Sequence, residues 1–198
     1  MRPQKVVVDR KFIAKWHPKY DGTEGDEKEC QSIIKAASSD ICKAGTLLKE
    51  TFRRIIEWKE GNRRGLIGRH IQWKAFSEYG ETIRQCLHVP DDEKIKKLNV
   101  LRGLGMSYPH PVPVASTVLF FLYPEGFPIM DIKTVQSLHY NGYIDSLKKD
   151  QKRYLPFRVA ILKISQHTGQ SLRTIDRALF AYHKNELQPH LKSREICE

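Results

Sequence analysis

The ten residues from Val114 to Tyr123 carry no charge, and only Ser116 and Thr117 interrupt the apolar run. A helix made of such a stretch has no face it can show to water, so other elements must surround it. It is far shorter than the roughly 20 apolar residues that a bilayer span requires. The expectation is a buried central helix inside a helical fold. Pro113, just before the run, suits the first turn of that helix, where its missing N–H costs nothing. Pro124-Glu125-Gly126 ends it.

The rest of the chain reads as helices able to cover this one. From about Asp26 the apolar period is helical. In 46–59, Leu47, Leu48, Phe52, Ile55 and Ile56 share one face, and Gly61-Asn62 closes the helix. Residues 66–77 and 79–88 read as two short helices parted near Tyr79-Gly80. Pro90 opens another, whose Asp91, Asp92 and Glu93 suit a positive N-terminal end and whose apolar positions are Ile95, Leu98 and Leu101. After the central run, Phe127 to Met130 predicts an extended connector, and Asp131 precedes a helix from Ile132 to about Tyr140. Phe157, Ala160, Ile161 and Ile164 line one further helix. Leu172, Ile175, Leu179 and Phe180 line a last one, capped by Ser171. No alternating strand pattern exceeds a few residues. The fold class expected is therefore all-α, with two small helical lobes sharing one core. Residues 1–25, with Pro3, Pro18, Gly22 and Gly25, read as an irregular arm in which Trp16 packs on the domain. Residues 26–190 read as a single helical domain and 191–198 as a polar tail.

Charge narrows the partner. The chain of 198 residues has 34 Lys+Arg against 23 Asp+Glu, a formal charge of +11. Such an excess favours a polyanion, because each neutralised phosphate releases condensed counterions. Nucleic acid leads this reading and an anionic membrane surface follows it. The four cysteines, at 30, 42, 86 and 197, form no CxxC pair, so thiolate metal sites are not expected. Reduced thiols, and a beginning with no apolar stretch of signal-peptide length, read as an intracellular, cytoplasmic protein that is not held in a membrane.

One segment points to chemistry. In Leu101-Arg102-Gly103-Leu104-Gly105 a helix ends in a GxG turn, with another helix soon after. Two glycines let a phosphate approach the backbone, and free N–H groups at such a turn can hold its oxygens without reading sequence. A GxG alone is more commonly a plain helix stop. Here it is followed by Val114-Ala115-Ser116-Thr117-Val118-Leu119 and then by Phe127-Pro128-Ile129-Met130-Asp131, with Asp131 sixteen positions after Ala115. The segment 98–138 resembles the core of the helix-hairpin-helix DNA glycosylase superfamily, the endonuclease III-like and adenine glycosylase-like enzymes. The resemblance implies a helix-hairpin-helix at about 92–123 and a catalytic Asp131. It also implies DNA contacts from Arg102, Gly103, Leu104, Gly105, Tyr108, His110 and Lys133, a monomer acting on double-stranded DNA, and no cofactor or catalytic metal. The hairpin carbonyls could hold a monovalent cation, as in the family.

The chain departs from that pattern in two places. Met106 to Pro111 looks like an insertion after the hairpin. Pro113 stands where bifunctional members carry lysine, and a proline has no amine for a Schiff base, so hydrolysis without lyase activity is implied. The iron–sulfur cysteine loop of the endonuclease III branch is also absent. Simpler uses stay open. Asp131 suits a helix N-cap; Trp58, Trp73 and Tyr79 can be core as readily as base pocket; and 171–180 reads as a local Arg/Asp pairing that orders the last helix. Two further functions remain beside the glycosylase: a non-catalytic helix-hairpin-helix DNA-binding protein, and a helical interaction protein with a basic surface.

Overall fold

A computed structural model describes residues 5–21, 27–60, 76–98 and 111–189. Among these residues there are nine α-helices and no β-strand, so the chain is all-α. None of those helices is long and apolar enough to cross a membrane. The chain forms two compact units, one of residues 22–127 with 150–152, the other of 1–21, 128–149 and 153–198.

The first of these units is built around the apolar run. It holds α2 (Glu27–Ala44), α3 (Lys49–Glu60), α4 (Phe76–Leu87), α5 (Asp91–Leu98) and α6 (Pro111–Leu122). Every residue from Val112 to Phe121 is buried, and α2, α3 and α5 all pack on α6. Trp58 meets Phe121 edge-on at 5.0 Å, and Tyr79 lies 5.6 Å from Phe52, so both aromatic candidates for a base pocket are core. The third, Trp73, lies outside the described residues.

Two local expectations change. Residues 76–87 are one helix, running straight through Tyr79-Gly80. Gly80 is no break, because a helix interior tolerates a glycine at a cost of about 1 kcal/mol. It lies against Thr46, whose hydroxyl donates to the Gly80 carbonyl at 2.7 Å. Leu48 is exposed although Leu47, Phe52, Ile55 and Ile56 are buried as expected. The reason is the helix start: the Leu48 N–H donates to an Asp40 carboxylate oxygen at 3.0 Å, and α3 begins one residue later. The acidic first turn of α5 is present as read. Within it Lys94 is buried, its ammonium donating to the carbonyls of Val89 at 2.7 Å and Cys86 at 3.2 Å, where it satisfies the end of α4. Burial pushes the Cys86 thiol up to about 11, against the lowering pull of Lys94, so this thiol is inert.

The other unit holds α1 (Arg10–Trp16), α7 (Ile132–Tyr140), α8 (Gln151–Thr168) and α9 (Leu172–Tyr182). A 3₁₀ turn, His17–Lys19, follows α1, and a π-helical turn, His183–Leu187, continues α9. The irregular arm is thus corrected in part: residues 10–16 are helical. Asp9 caps them, accepting the Phe12 N–H at 2.8 Å. Phe12 and Trp16, one turn apart, meet Tyr182 edge-on at 5.2 and 5.4 Å. Seven residues are too few for a helix to hold alone, and this one exists because α9 receives its aromatic face. Phe157, Ala160, Ile161 and Ile164 are buried in α8, and Ser171 caps α9, accepting the Thr174 N–H at 3.1 Å.

If α6 organises its unit, Phe121→Ala should cost about 3–5 kcal/mol of unfolding free energy. Urea titration of the native and substituted proteins measures it.

Candidate functional site

Asp131 stands at the end of a buried connector. Phe127, Pro128, Ile129 and Met130 are all buried and belong to no helix or strand, and the Tyr154 hydroxyl donates to the Pro128 carbonyl at 3.0 Å. Asp131 itself has extended backbone, φ −100° and ψ 155°, and is the N-cap of α7. Its Oδ1 accepts the Lys133 N–H at 2.9 Å, and its carbonyl accepts the Val135 N–H at 2.9 Å. The side chain is half-buried. The expectation of a capping aspartate at this position is therefore met.

The first turn of α7 is fixed against α9 by polar contacts that leave it little freedom. Thr134 donates its hydroxyl to Asp176 Oδ1 at 2.9 Å, and Ser137 donates to the Leu179 carbonyl at 2.9 Å. Arg173 Nη1 donates to Asp176 Oδ2 at 2.6 Å. The pairing of Arg and Asp expected within 171–180 is present, but it reaches further than the last helix. Arg173 Nη2 also donates to the Tyr20 hydroxyl at 3.3 Å. The guanidinium carbons of Arg173 and Arg177 lie 5.4 and 5.0 Å from the Tyr20 ring centroid, and Tyr20 meets Phe180 edge-on at 5.5 Å. Lys133 Nζ sits 3.7 Å from the Phe180 centroid. A cation this close to an aromatic face is held by the ring quadrupole. Lys133, expected as a phosphate contact, is thus already engaged with a ring.

The residue that sequence reasoning missed is His183. It opens the π-helical turn after α9 and is only 5% exposed, and neither ring nitrogen has a hydrogen-bond partner among the described residues. Burial lowers its pKa below the ordinary value of 6.5; the Lys133 ammonium adds to this and the Asp131 carboxylate opposes it. The imidazole therefore stands in the field of both α7 residues singled out from the sequence. A signal for it existed: the apolar stripe Leu172, Ile175, Leu179 continues by one helical turn to position 183.

Of the expected site residues, Asp131 and Lys133 are brought together at one helix start. Arg102, Gly103, Leu104, Gly105, Tyr108 and His110 lie outside the described residues. No group of His, Cys, Asp and Glu able to hold a metal occurs among the described residues. No family model matches the chain, and no curated protein or solved structure matches it either.

The low pKa of His183 makes folding pH-dependent with a definite sign. The folded chain resists a proton that the unfolded chain accepts below 6.5, so this contribution to stability is complete above 6.5 and is lost as pH falls toward the folded value. His183→Gln should flatten that part of the slope. The check is the difference between native and substituted proteins in urea midpoint at about pH 8 and about pH 5.

Proposed function

We propose that this chain is a monofunctional DNA glycosylase of the helix-hairpin-helix kind, which hydrolyses the N-glycosidic bond of a flipped base and leaves an abasic site. The observation that carries the reading is the position of Asp131: a half-buried carboxylate capping the first turn of α7, ending a buried connector, sixteen residues after Ala115 in the buried α6. Breaking the bond builds positive charge on the sugar as the base departs. A fixed carboxylate beside C1′ stabilises that charge and orients or deprotonates the attacking water. A helix N-terminus favours the ionised carboxylate and holds its angle. The base must first leave the duplex, at a cost of a few kcal/mol. Pro113 offers no amine, so water is the nucleophile and strand cleavage needs a separate base treatment.

The net charge of +11 supports a DNA partner, and Arg102, Gly103, Leu104, Gly105, Tyr108 and His110 are the proposed contacts of the hairpin. A second reading draws on the capping bond itself. Asp131 accepts an amide N–H at its own helix start, and that use accounts for an aspartate there without any chemistry. On this reading the protein binds DNA and releases nothing.

Incubation with duplexes carrying oxidised, alkylated, deaminated and mismatched bases, followed by alkali, separates the two. The glycosylase reading expects alkali-dependent cleavage at one class of base, reduced about 100-fold or more by Asp131→Asn. No product across the panel, with salt-sensitive binding intact, leaves the non-catalytic module. Charge reversal at Arg102 with Lys133 should weaken DNA binding and lower its salt dependence under either reading. Unchanged binding in a filter or anisotropy assay would instead make the basic surface a site for some other partner.

A further inference from the structure

Away from Asp131, the unit containing both chain ends has a groove of about 440 Å³. One wall is the non-helical segment before α1, with Val7 and Val8, together with Tyr143. This wall is tied in place: the Val6 N–H donates to Asn141 Oδ1 at 2.8 Å and the Val8 N–H to the Tyr143 hydroxyl at 2.7 Å. Asn141 is itself anchored, donating to the Ser137 carbonyl at 2.8 Å. The opposite wall is a single face of α8, formed by Pro156, Val159, Ala160, Lys163, Ile164 and His167. Their spacing of three, one, three, one and three residues is that of one helical side.

The apolar part of this face is only partly covered: Ala160 and Ile164 are buried, and Pro156 and Val159 are exposed. Val159 is 41% exposed and Val7 is 70% exposed, whereas Phe157 and Ile161 on the neighbouring side of α8 are fully packed. The groove is also polarised along its length. Pro156 and Val159 lie toward its N-terminal end, Lys163 and His167 toward its C-terminal end. Lys163 and His167 are exposed, and neither makes an ion pair with a described residue. Helix α8 contains no Asp or Glu at all. Besides Lys163 a second cation, Arg10, closes the same end, its Nε donating to the Thr168 carbonyl at 2.9 Å. The acid nearest to this wall in sequence, Asp9, is engaged in capping α1.

We infer that this groove binds an amphipathic carboxylate, its hydrocarbon body over Val7, Pro156, Val159 and Ile164 and its anionic head at Lys163 and His167. The volume falls in the lower part of the range of small-molecule sites, roughly 300–1,000 Å³. From Pro156 to His167 the helix runs about 16 Å, room for an extended acyl chain of about twelve carbons. An apolar body gains by leaving water for the valine and proline surface, and the carboxylate meets cations that no acid on α8 neutralises. A nucleic-acid backbone matches the cations but leaves the apolar wall unused. A cationic amphiphile matches the wall and is repelled by the head group site.

Calorimetric titration with dodecanoate, below the concentration at which it forms micelles, tests the inference. Saturable binding of one dodecanoate per chain is expected, weakened about tenfold or more in Lys163→Glu/His167→Glu and abolished in Val159→Glu. All three positions are exposed, and circular dichroism with urea unfolding confirms that the variants keep the native fold. Four results would overturn the assignment: no saturable uptake of dodecanoate; equal affinity for dodecyltrimethylammonium; unchanged affinity in the substituted proteins; or binding to phosphatidylglycerol vesicles without binding to the free carboxylate. None of these depends on base release from DNA.

Discussion

Ten consecutive buried residues, Val112 to Phe121, set the terms for the unit around them. A helix buried on every side must find apolar partners in all directions, and α2, α3 and α5 supply them. Its polar atoms must be satisfied internally. Ser116 and Thr117 turn their hydroxyls back to the Pro113 carbonyl, at 3.1 and 2.8 Å, rather than into the core. Its start is built from Pro111 and Pro113, residues without an N–H, so the first turn brings fewer unmet donors into the interior. At its other end the chain leaves through a turn at Pro124-Glu125-Gly126 and then the buried stretch Phe127 to Met130. Asp131 is where that stretch becomes helix again.

What steadies Asp131 is a different kind of interaction. Asp176 accepts from Thr134 on α7 and from Arg173 on its own helix, and Arg173 reaches Tyr20 near the end of α1. The Arg173 and Asp176 side chains are only 10% and 13% exposed. A pair so deeply placed gains little net stability, because desolvation offsets most of the Coulomb attraction. Its value lies in geometry: Asp176 Oδ1 ties Thr134 of α7 to α9 while Arg173 holds Oδ2, and beside them Tyr20 meets Phe180 edge-on and Lys133 sits against the Phe180 ring. A carboxylate at the start of such a helix is oriented before any ligand arrives, which is the condition under which electrostatic stabilisation of a transition state is effective.

Features decided within a few residues were legible in the sequence. The bounds of α7, the caps Asp131 and Ser171, and the enclosed helix all follow from local apolar period and capping chemistry. Features decided across the chain were not. Seven residues around Phe12 and Trp16 read as irregular because their partner, Tyr182, lies in the last third of the sequence. Gly80 read as a break because the contact with Thr46 cannot be seen from its neighbours. Leu48 read as core because a carboxylate on the preceding helix, Asp40, sets where α3 begins. For the candidate site the division is the same: Asp131 was legible as the cap of its helix, but the contacts of Arg173 with Tyr20 and of Asp176 with Thr134, and the burial of His183, arise only through tertiary packing.

The capping bond and the proposed chemistry are not competing uses of one side chain. An ionised carboxylate offers about four acceptor positions, and the Lys133 N–H takes one on Oδ1. What capping contributes is constraint: it fixes the side-chain torsions and places the charge where the first-turn dipoles favour it. Stabilising a cationic sugar requires those same two properties, a fixed position and a retained charge, with no proton transfer demanded of the carboxylate in the step that breaks the bond. An asparagine keeps the cap and loses the charge, whereas an alanine loses both. The structural role of Asp131 and the chemical role proposed for it are therefore separable in one side chain, even though a single bond to the backbone serves each of them.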